Sequence, residues 1–498
     1  MKWANFLHFY QPADQQRDIL EAVVSQCYRP MFRGLLENPR ARLTINVSGG
    51  LLEALDKHGF GDVIHDLREL YKSGRIDITS TACYHAFLPL LPEDEIRRQI
   101  KLNDIVLSRY LNVDFSPLGF FPPEMAYNSR LGSILSDMGY KYVLLDEISC
   151  TPGEKGSVEN DALYRLRGTS LKVFFRQRNP SNVLMSGIER DSQHLYEVLK
   201  RYSGSRYLIT AMDGETFGHH RPGLEEPFLD MFNNQNIEFT TVADFLDDPD
   251  LAIKEVDLVD STWASSREDI ANGIQFISWK DPQNVLHSWQ WELVNLMLSA
   301  IKSLSQEVPN YDVIRCKADR ALASDQFFWA SAKPWWSVEM IESGVHMALS
   351  VIESIPGLAS ESKASAEFLY RSVVSTAFEW QRTGKIREMS RERNSVQRIP
   401  FKARTLGVGG AEAGVYHAFV DMMTEQEKEA ASRREYEKAI LWRDAVHKIE
   451  TGNDIYDAVN AIDLLRIELS NEKVEKVINE YKSRFNEIRG GQPEQRSN

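Results

Sequence analysis

Cysteine is scarce in this chain. The four present, Cys27, Cys83, Cys150 and Cys316, lie far apart with no C-x-x-C pair. That argues against a zinc ribbon or a disulfide scaffold and fits a reducing compartment. Long apolar runs are missing too, so no stretch reads as a membrane span. Positive charge is in deficit: 58 Lys and Arg stand against 72 Asp and Glu, a formal net charge of −14. The basic footprint of a nucleic-acid binder is therefore absent, whereas a neutral sugar or polysaccharide remains compatible. Neither an internal repeat nor a low-complexity tract is visible. The N-terminal run Trp3 to Tyr10, interrupted by Asn5 and His8, reads as a first strand rather than a signal peptide, which makes the cytoplasm the expected location.

What is present is ordinary globular material, 43% hydrophobic and 26% charged. Strand-like runs at Trp3–Tyr10, Arg42–Val47, Arg75–Ala82, the stretch from Leu118, Tyr140–Leu145, Tyr207–Met212 and Ile237–Val242 alternate with helical periodicity. About seven strand–helix units imply a parallel sheet wrapped by helices. Asp18–Leu36 reads as a helix interrupted near Pro30, and Leu163–Arg167 with Leu171–Arg176 as a small hairpin embellishment across Gly168. After residue 283 only helical periodicity continues. The expected division is a catalytic α/β region over 1–283, a helical region over 284–385 and a charged helical segment over 386–489. Gly384–Gly410 reads as a basic surface loop, and 490–498 as a disordered tail.

Chemistry concentrates where strands end. The run Tyr207–Met212 closes in Asp213-Gly-Glu215-Thr-Phe-Gly-His219-His220, with two carboxylates flanking a glycine. Leu118-Gly-Phe-Phe121-Pro-Pro-Glu124 is a second apolar run ending in an acid. His8 and Gln11 follow the first strand and His85 follows the third. Each has a plain structural explanation alone; together, on successive strands of a barrel, they mark one polar pocket. Two strand ends with one acid each suggest paired-carboxylate chemistry on a sugar. Seven of the ten tryptophans fall between Trp263 and Trp336. Trp289 and Trp329 read as core, whereas Trp263 and Trp279, in loops, are candidate platforms for sugar rings.

These stretches resemble the motifs of glycoside hydrolase family 57, the amylases, glucanotransferases and branching enzymes of α-glucans. His8-Phe-Tyr-Gln11-Pro12 is similar to the first motif, with His8 three residues before Gln11 rather than beside it. Gly74–Ile78 through Tyr84-His85-Ala-Phe-Leu-Pro89 resembles the second, Phe120-Phe121-Pro-Pro-Glu124-Met-Ala the third and Met212–His220 the fourth. Ser278-Trp279-Lys-Asp281-Pro-Gln-Asn284 resembles the fifth. The resemblance implies a distorted seven-stranded (β/α) barrel followed by an all-helical region bordering the cleft. It implies Glu124 as nucleophile and Asp213 as acid/base, their carboxyl oxygens roughly 5–6 Å apart as in retaining enzymes. Sugar contacts are then expected from His8, Gln11, His85, Phe121, Glu215, His219, His220, Trp263, Trp279 and Asp281. No cofactor is expected, and self-association is left open.

Two other readings stand beside this one. His8, His85, Asp213, His219 and His220 could supply ligands to Zn²⁺ or Ca²⁺ in a deacetylase- or mannosidase-like enzyme. The first strand, however, lacks Asp-Asp or His-x-Asp, and no H-x-x-x-H lies near the acids. A non-catalytic glycan-binding protein is the third reading, disfavoured because both acids are present.

Overall fold

The computed structural model describes residues 2–150, 158, 160–187, 190–202, 206–333, 335–394, 415–451 and 455–489. The expected tail 490–498 and residues 395–410 of the expected loop lie outside them. The chain forms two compact units: Met1–Asn182 with Glu197–Glu215 and Phe232–Glu392, and Val183–Tyr196 with Thr216–Met231 and Arg393–Asn498.

The first unit is built on strands β1 (Lys2–Phe9), β2 (Leu43–Val47), β3 (Ile76–Thr79), β4 (Gly119–Phe120), β5 (Tyr142–Asp146), β6 (Ala162–Leu166), β7 (Lys172–Arg176), β8 (Tyr207–Asp213), β9 (Glu238–Thr240) and β10 (Ala252–Val256), parallel except that β6 and β10 run against the others. One sheet runs β3-β2-β1-β8 and the other β10-β6-β7-β5-β4. They adjoin at both ends. Ser80 bridges to Phe120 in parallel, and the Gln177 N–H donates to Ile209 O at 3.0 Å. Seven strands, β1, β2, β3, β4, β5, β7 and β8, thus follow one another round a distorted barrel whose two seams carry few hydrogen bonds. Because helices cover the outside, β2 and β5 are buried at every position. Phe6, Phe121, Tyr142, Leu144, Phe174 and Ile209 belong to one buried apolar cluster in this unit.

Several sequence expectations change in detail. β6 and β7 do form an antiparallel hairpin, but β7 also pairs in parallel with β5 and is a barrel member rather than an embellishment. β9 pairs only with the first residues of β1 and lies outside the ring. The helix after β1 is not broken at Pro30. It passes from Arg17–Val23 through a π turn at Val24–Tyr28 into Arg29–Glu37, where Pro30 occupies a first-turn position and needs no N–H donor. Lys385–Asn394 is helical where a loop was expected, following the left-handed Gly384.

Helices Val285–Lys302, Tyr311–Ala321, Val338–Ser354 and Ser360–Thr383 pack in the first unit around Leu293, Val294, Ile341, Val345 and Val373. The second unit has its own core, with Tyr416, Phe419, Met423, Trp442 and Leu465 buried together. Among the described residues no helix is long and apolar enough to cross a membrane.

Candidate active site

Glu124 stands just past β4, where Pro122 and Pro123 end the strand and start a single tight turn. Its backbone is left-handed (φ 62°, ψ 15°), and Met125 follows at φ 48°. A non-glycine residue holds this conformation only when its surroundings enforce it. Here Met125 N donates to Pro122 O at 2.8 Å, and Trp263 N donates to Glu124 O at 3.1 Å. The Trp263 indole also donates to Glu124 Oε2 at 2.8 Å. His85, facing the same carboxylate with Nε2 at 4.0 Å from Oε1, is likewise left-handed at φ 55°. Strain therefore gathers at this rim.

Asp213 needs no such strain. It is the last residue of β8, in register with His8 on β1. Gly214 follows because nothing larger fits: a Cβ there would fall 2.2 Å from the Phe9 ring. Glu215 Oε1 then accepts from Tyr10 N at 3.0 Å and from the Tyr28 hydroxyl. Cys27 Sγ donates to Gly214 O at 3.2 Å. The π turn puts Cys27 and Tyr28 on this loop root.

His8 and His85 are both buried and joined in one chain. Asn46 Oδ1 can only accept, so His8 Nδ1 carries a proton (2.8 Å) and His8 Nε2 is left as acceptor. His85 Nε2 donates to it at 3.2 Å, and His85 Nδ1 accepts from Ser324 Oγ at 3.0 Å. Every ring nitrogen is engaged with both rings neutral. Burial agrees, pulling His8 down to about 4 and His85 well below its ordinary range. Tyr10 stacks on His85 at 3.9 Å between ring centroids and donates its hydroxyl to Asp325 at 2.5 Å.

Four acids in this region are held above their usual range. Burial, then the charge of Asp213, pushes Glu124 up to about 8, against the pull of the Trp263 hydrogen bond. Burial pushes Asp213 up to about 6, opposed by the Arg176 guanidinium. Burial and Asp213 raise Glu215 to about 8, and burial raises Asp325 to about 6. Arg176, at the end of β7, is itself buried, pairs with Asp146 at 3.2 Å and lies 5.6 Å over the Trp263 ring. Arg178 donates to the carbonyls of Trp263 and Ser265, both at 2.8 Å, which fixes the loop that carries the indole.

The structure thus brings His8, His85, Glu124, Trp263, Asp213 and Glu215 into one contact network. Phe121 is fully buried, 4.9 Å from Phe6 and 4.7 Å from His8, so it forms floor rather than an open platform. Gln11 is occupied by its neighbour Gln15, at 2.7 Å. Trp279 is a correction. It is 0% exposed, stacked between Phe87 at 4.8 Å and Phe328 at 5.6 Å, and cannot meet a sugar face. Asp281 is buried in an ion pair with Lys333 at 2.7 Å. His219 and His220 belong to the second unit, their rings 5.4 Å apart. Sequence reasoning missed Tyr28, Arg176 and Asp325. Arg176 ends a strand taken for an embellishment, and Asp325 follows β8 by more than 100 residues.

Comparison with known proteins bears on this arrangement. Over 262 residues the chain is 26% identical to a 4-alpha-glucanotransferase of Thermococcus litoralis, covering 49% of this chain and 39% of that protein. It is 23% identical over 235 residues to alpha-amylase 1 of Dictyoglomus thermophilum, covering 45% and 33%. The chain therefore matches well under two thirds of these relatives' own length. Among solved structures, a GH57 branching enzyme from Thermococcus kodakaraensis superposes with a TM-score of 0.56 at 15% identity, covering 76% of this chain and 96% of that one. The T. litoralis glucanotransferase gives 0.54 at 18%, covering 71% and 58%. These likenesses establish the fold. The family model "Glycosyl hydrolase family 57" matches residues 4–259, just over half of the chain, a segment that contains Glu124, Asp213 and all of the barrel strands but the first two residues of β1. The chain belongs to glycosyl hydrolase family 57.

Proposed function

We propose that this protein is a retaining α-glycosidase or α-glucanotransferase acting on α-1,4-glucans or maltooligosaccharides through a covalent glycosyl-enzyme. One observation carries the reading: two half-buried acids at the ends of β4 and β8, each with its own partner, Trp263 for Glu124 and Arg176 for Asp213. The names of the relatives, an amylase and a glucanotransferase, support the substrate class.

Glu124 attacks the anomeric carbon and Asp213 protonates the leaving oxygen, then deprotonates water or an acceptor sugar. Before substrate binds, the values of about 6 and about 8 leave the pair holding one proton near neutrality, mostly on Glu124. Substrate must reverse that order. Positive charge growing at the anomeric carbon favours the Glu124 carboxylate, which the Trp263 indole already favours, and the glycosidic oxygen receives the proton through Asp213. Residues 1–283 supply this chemistry. Residues 284–385 border the cleft, in keeping with the contacts of Ser324 with His85 and of Asp325 with Tyr10.

Incubation with maltooligosaccharides of defined length tests the reading. Shorter products alone mean hydrolysis, shorter and longer together mean transfer, and new branches mean branching. No change in any α-glucan, or activity lost on chelation and restored by Zn²⁺ or Ca²⁺, overturns it.

A further inference from the structure

The loop that begins at Thr216 directly follows Asp213-Gly214-Glu215, yet it packs with the C-terminal helices in the second unit. Gly218 N and Leu224 N both donate to Arg221 O, at 3.3 and 3.1 Å, so this short excursion is closed around one residue. The Arg221 side chain reaches to helix Ile455–Glu468, where its Nη1 donates to Asp463 Oδ2 at 3.1 Å. The other oxygen of Asp463 is taken by Arg190, whose Nη2 lies 3.2 Å from Oδ1. Arg190 is fully buried and also donates to two carbonyls: Gly187 O at 2.9 Å, and Pro222 O on the loop itself. Close packing shows at Gly187, left-handed at φ 60°. A Cβ there would stand 3.1 Å from Arg190 Nη2 and 3.3 Å from Arg221 Cδ. One carboxylate thus takes a guanidinium on each oxygen, and both guanidinium groups also hold loop backbone, Arg221 through His220 O at 2.8 Å.

We propose that Asp463 is a positioning residue, a clamp by which the C-terminal helical segment sets the conformation of the 216–224 loop and so of His219 and His220. The functional part rests on the glucan-active reading given above. Asp463 lies beyond residues 4–259, the segment that the family model matches. Removing the carboxylate leaves the buried Arg190 and the half-buried Arg221 facing each other without their shared counter-charge. The loop then loses its closed form, while Asp213 keeps its place at the end of β8.

The test uses the full-length protein and the variant Asp463→Asn, with Glu468→Gln as control. Glu468 is on the same helix and pairs at the surface with Lys438, at 2.7 Å. Hydrogen exchange of the peptide spanning 216–224 should accelerate at least about tenfold in Asp463→Asn and stay unchanged in Glu468→Gln. Asp463→Glu, which keeps the charge, should recover part of the protection. In kinetics Asp463→Asn should raise KM for maltooligosaccharides several-fold, while kcat on an aryl maltoside with a good leaving group is retained. Unchanged exchange in Asp463→Asn overturns the clamp, as does equal acceleration in the control or an equal loss of kcat on both substrates. If the wild-type protein leaves maltooligosaccharides untouched, the glucan reading fails, and the exchange data still decide the clamp.

Discussion

The two acid-bearing rims reach the same end by different means. At β8 a seven-residue strand delivers Asp213 by its own geometry, and a glycine pressed against Phe9 turns the chain away. At β4 the strand is only two residues long, too short to aim anything. Two prolines, a left-handed backbone and a tryptophan hydrogen bonded at both its backbone and its indole aim Glu124 instead. A long strand positions a side chain without strain. A short one needs tertiary partners to impose a geometry that the local sequence resists.

The largest effects come from removing the acids. Glu124→Ala should lower turnover by at least about 10⁴-fold even on activated substrates, because nothing then attacks the anomeric carbon. Azide should restore product of inverted configuration. Asp213→Ala should keep measurable turnover of aryl or fluoride glycosides, and azide should give a product of retained configuration. Swapped configurations, read by NMR of the glycosyl azides, would exchange the two roles.

Trp263→Phe probes what holds the β4 rim. It removes the indole donor while leaving a ring beneath Arg176, and should cost about 10–100-fold in kcat/KM, the range for a buried hydrogen bond to a charged group. With its anion no longer favoured, Glu124 binds its proton more tightly. The upper limb of the kcat/KM profile, near pH 8, should then move to higher pH. An unchanged rate and profile would show that strain alone aims Glu124.

Arg176→Met is the matching probe at β8, with a smaller effect. The guanidinium holds Asp213 down, so its loss raises the Asp213 value and moves the lower limb, near pH 6, upward. Asp146 keeps Arg178 as partner at 2.6 Å. The two variants should move different limbs. If both move the same one, the two rims are not separately tuned.

Legibility in the sequence followed how local the cause was. Strands with continuous apolar runs, such as Tyr207–Met212, announced themselves, and so did the acids at their ends. β7 was misjudged because a Gly168 turn states that two strands are joined but not that the second continues into a parallel sheet. The tryptophans divided for a similar reason. Trp263 and Trp279 both lie in loops, and only packing shows one indole meeting Glu124 and the other pressed between Phe87 and Phe328. Asp325 carried no local sign, since its role depends on the Tyr10 hydroxyl more than 300 residues earlier in the chain.

The π turn after β1 has a consequence for chain length. Arg29 N–H reaches back five residues to Val24 O, so the helix holds one residue more than α-helical winding accommodates. Deleting any one of Val24, Ser25 or Gln26 would let this turn rewind as α-helix, and because the π turn already takes up the surplus residue the two halves would nearly keep their present relation. Tyr28 and Cys27 could then still face Glu215 and Gly214 while Leu20 and Val23 stay buried, whereas a residue removed from the regular α-helix Arg17–Val23 would turn the two faces apart by about 100°. The turn at Pro12–Gln15, by contrast, is half-buried to exposed and lies outside any helix, so it can take up a gained or lost residue without turning a helix face. Between the first two strands, changes of length should therefore be tolerated before Arg17, a single deletion should be tolerated within Val24–Gln26, and insertions and deletions alike should be refused within Arg17–Val23.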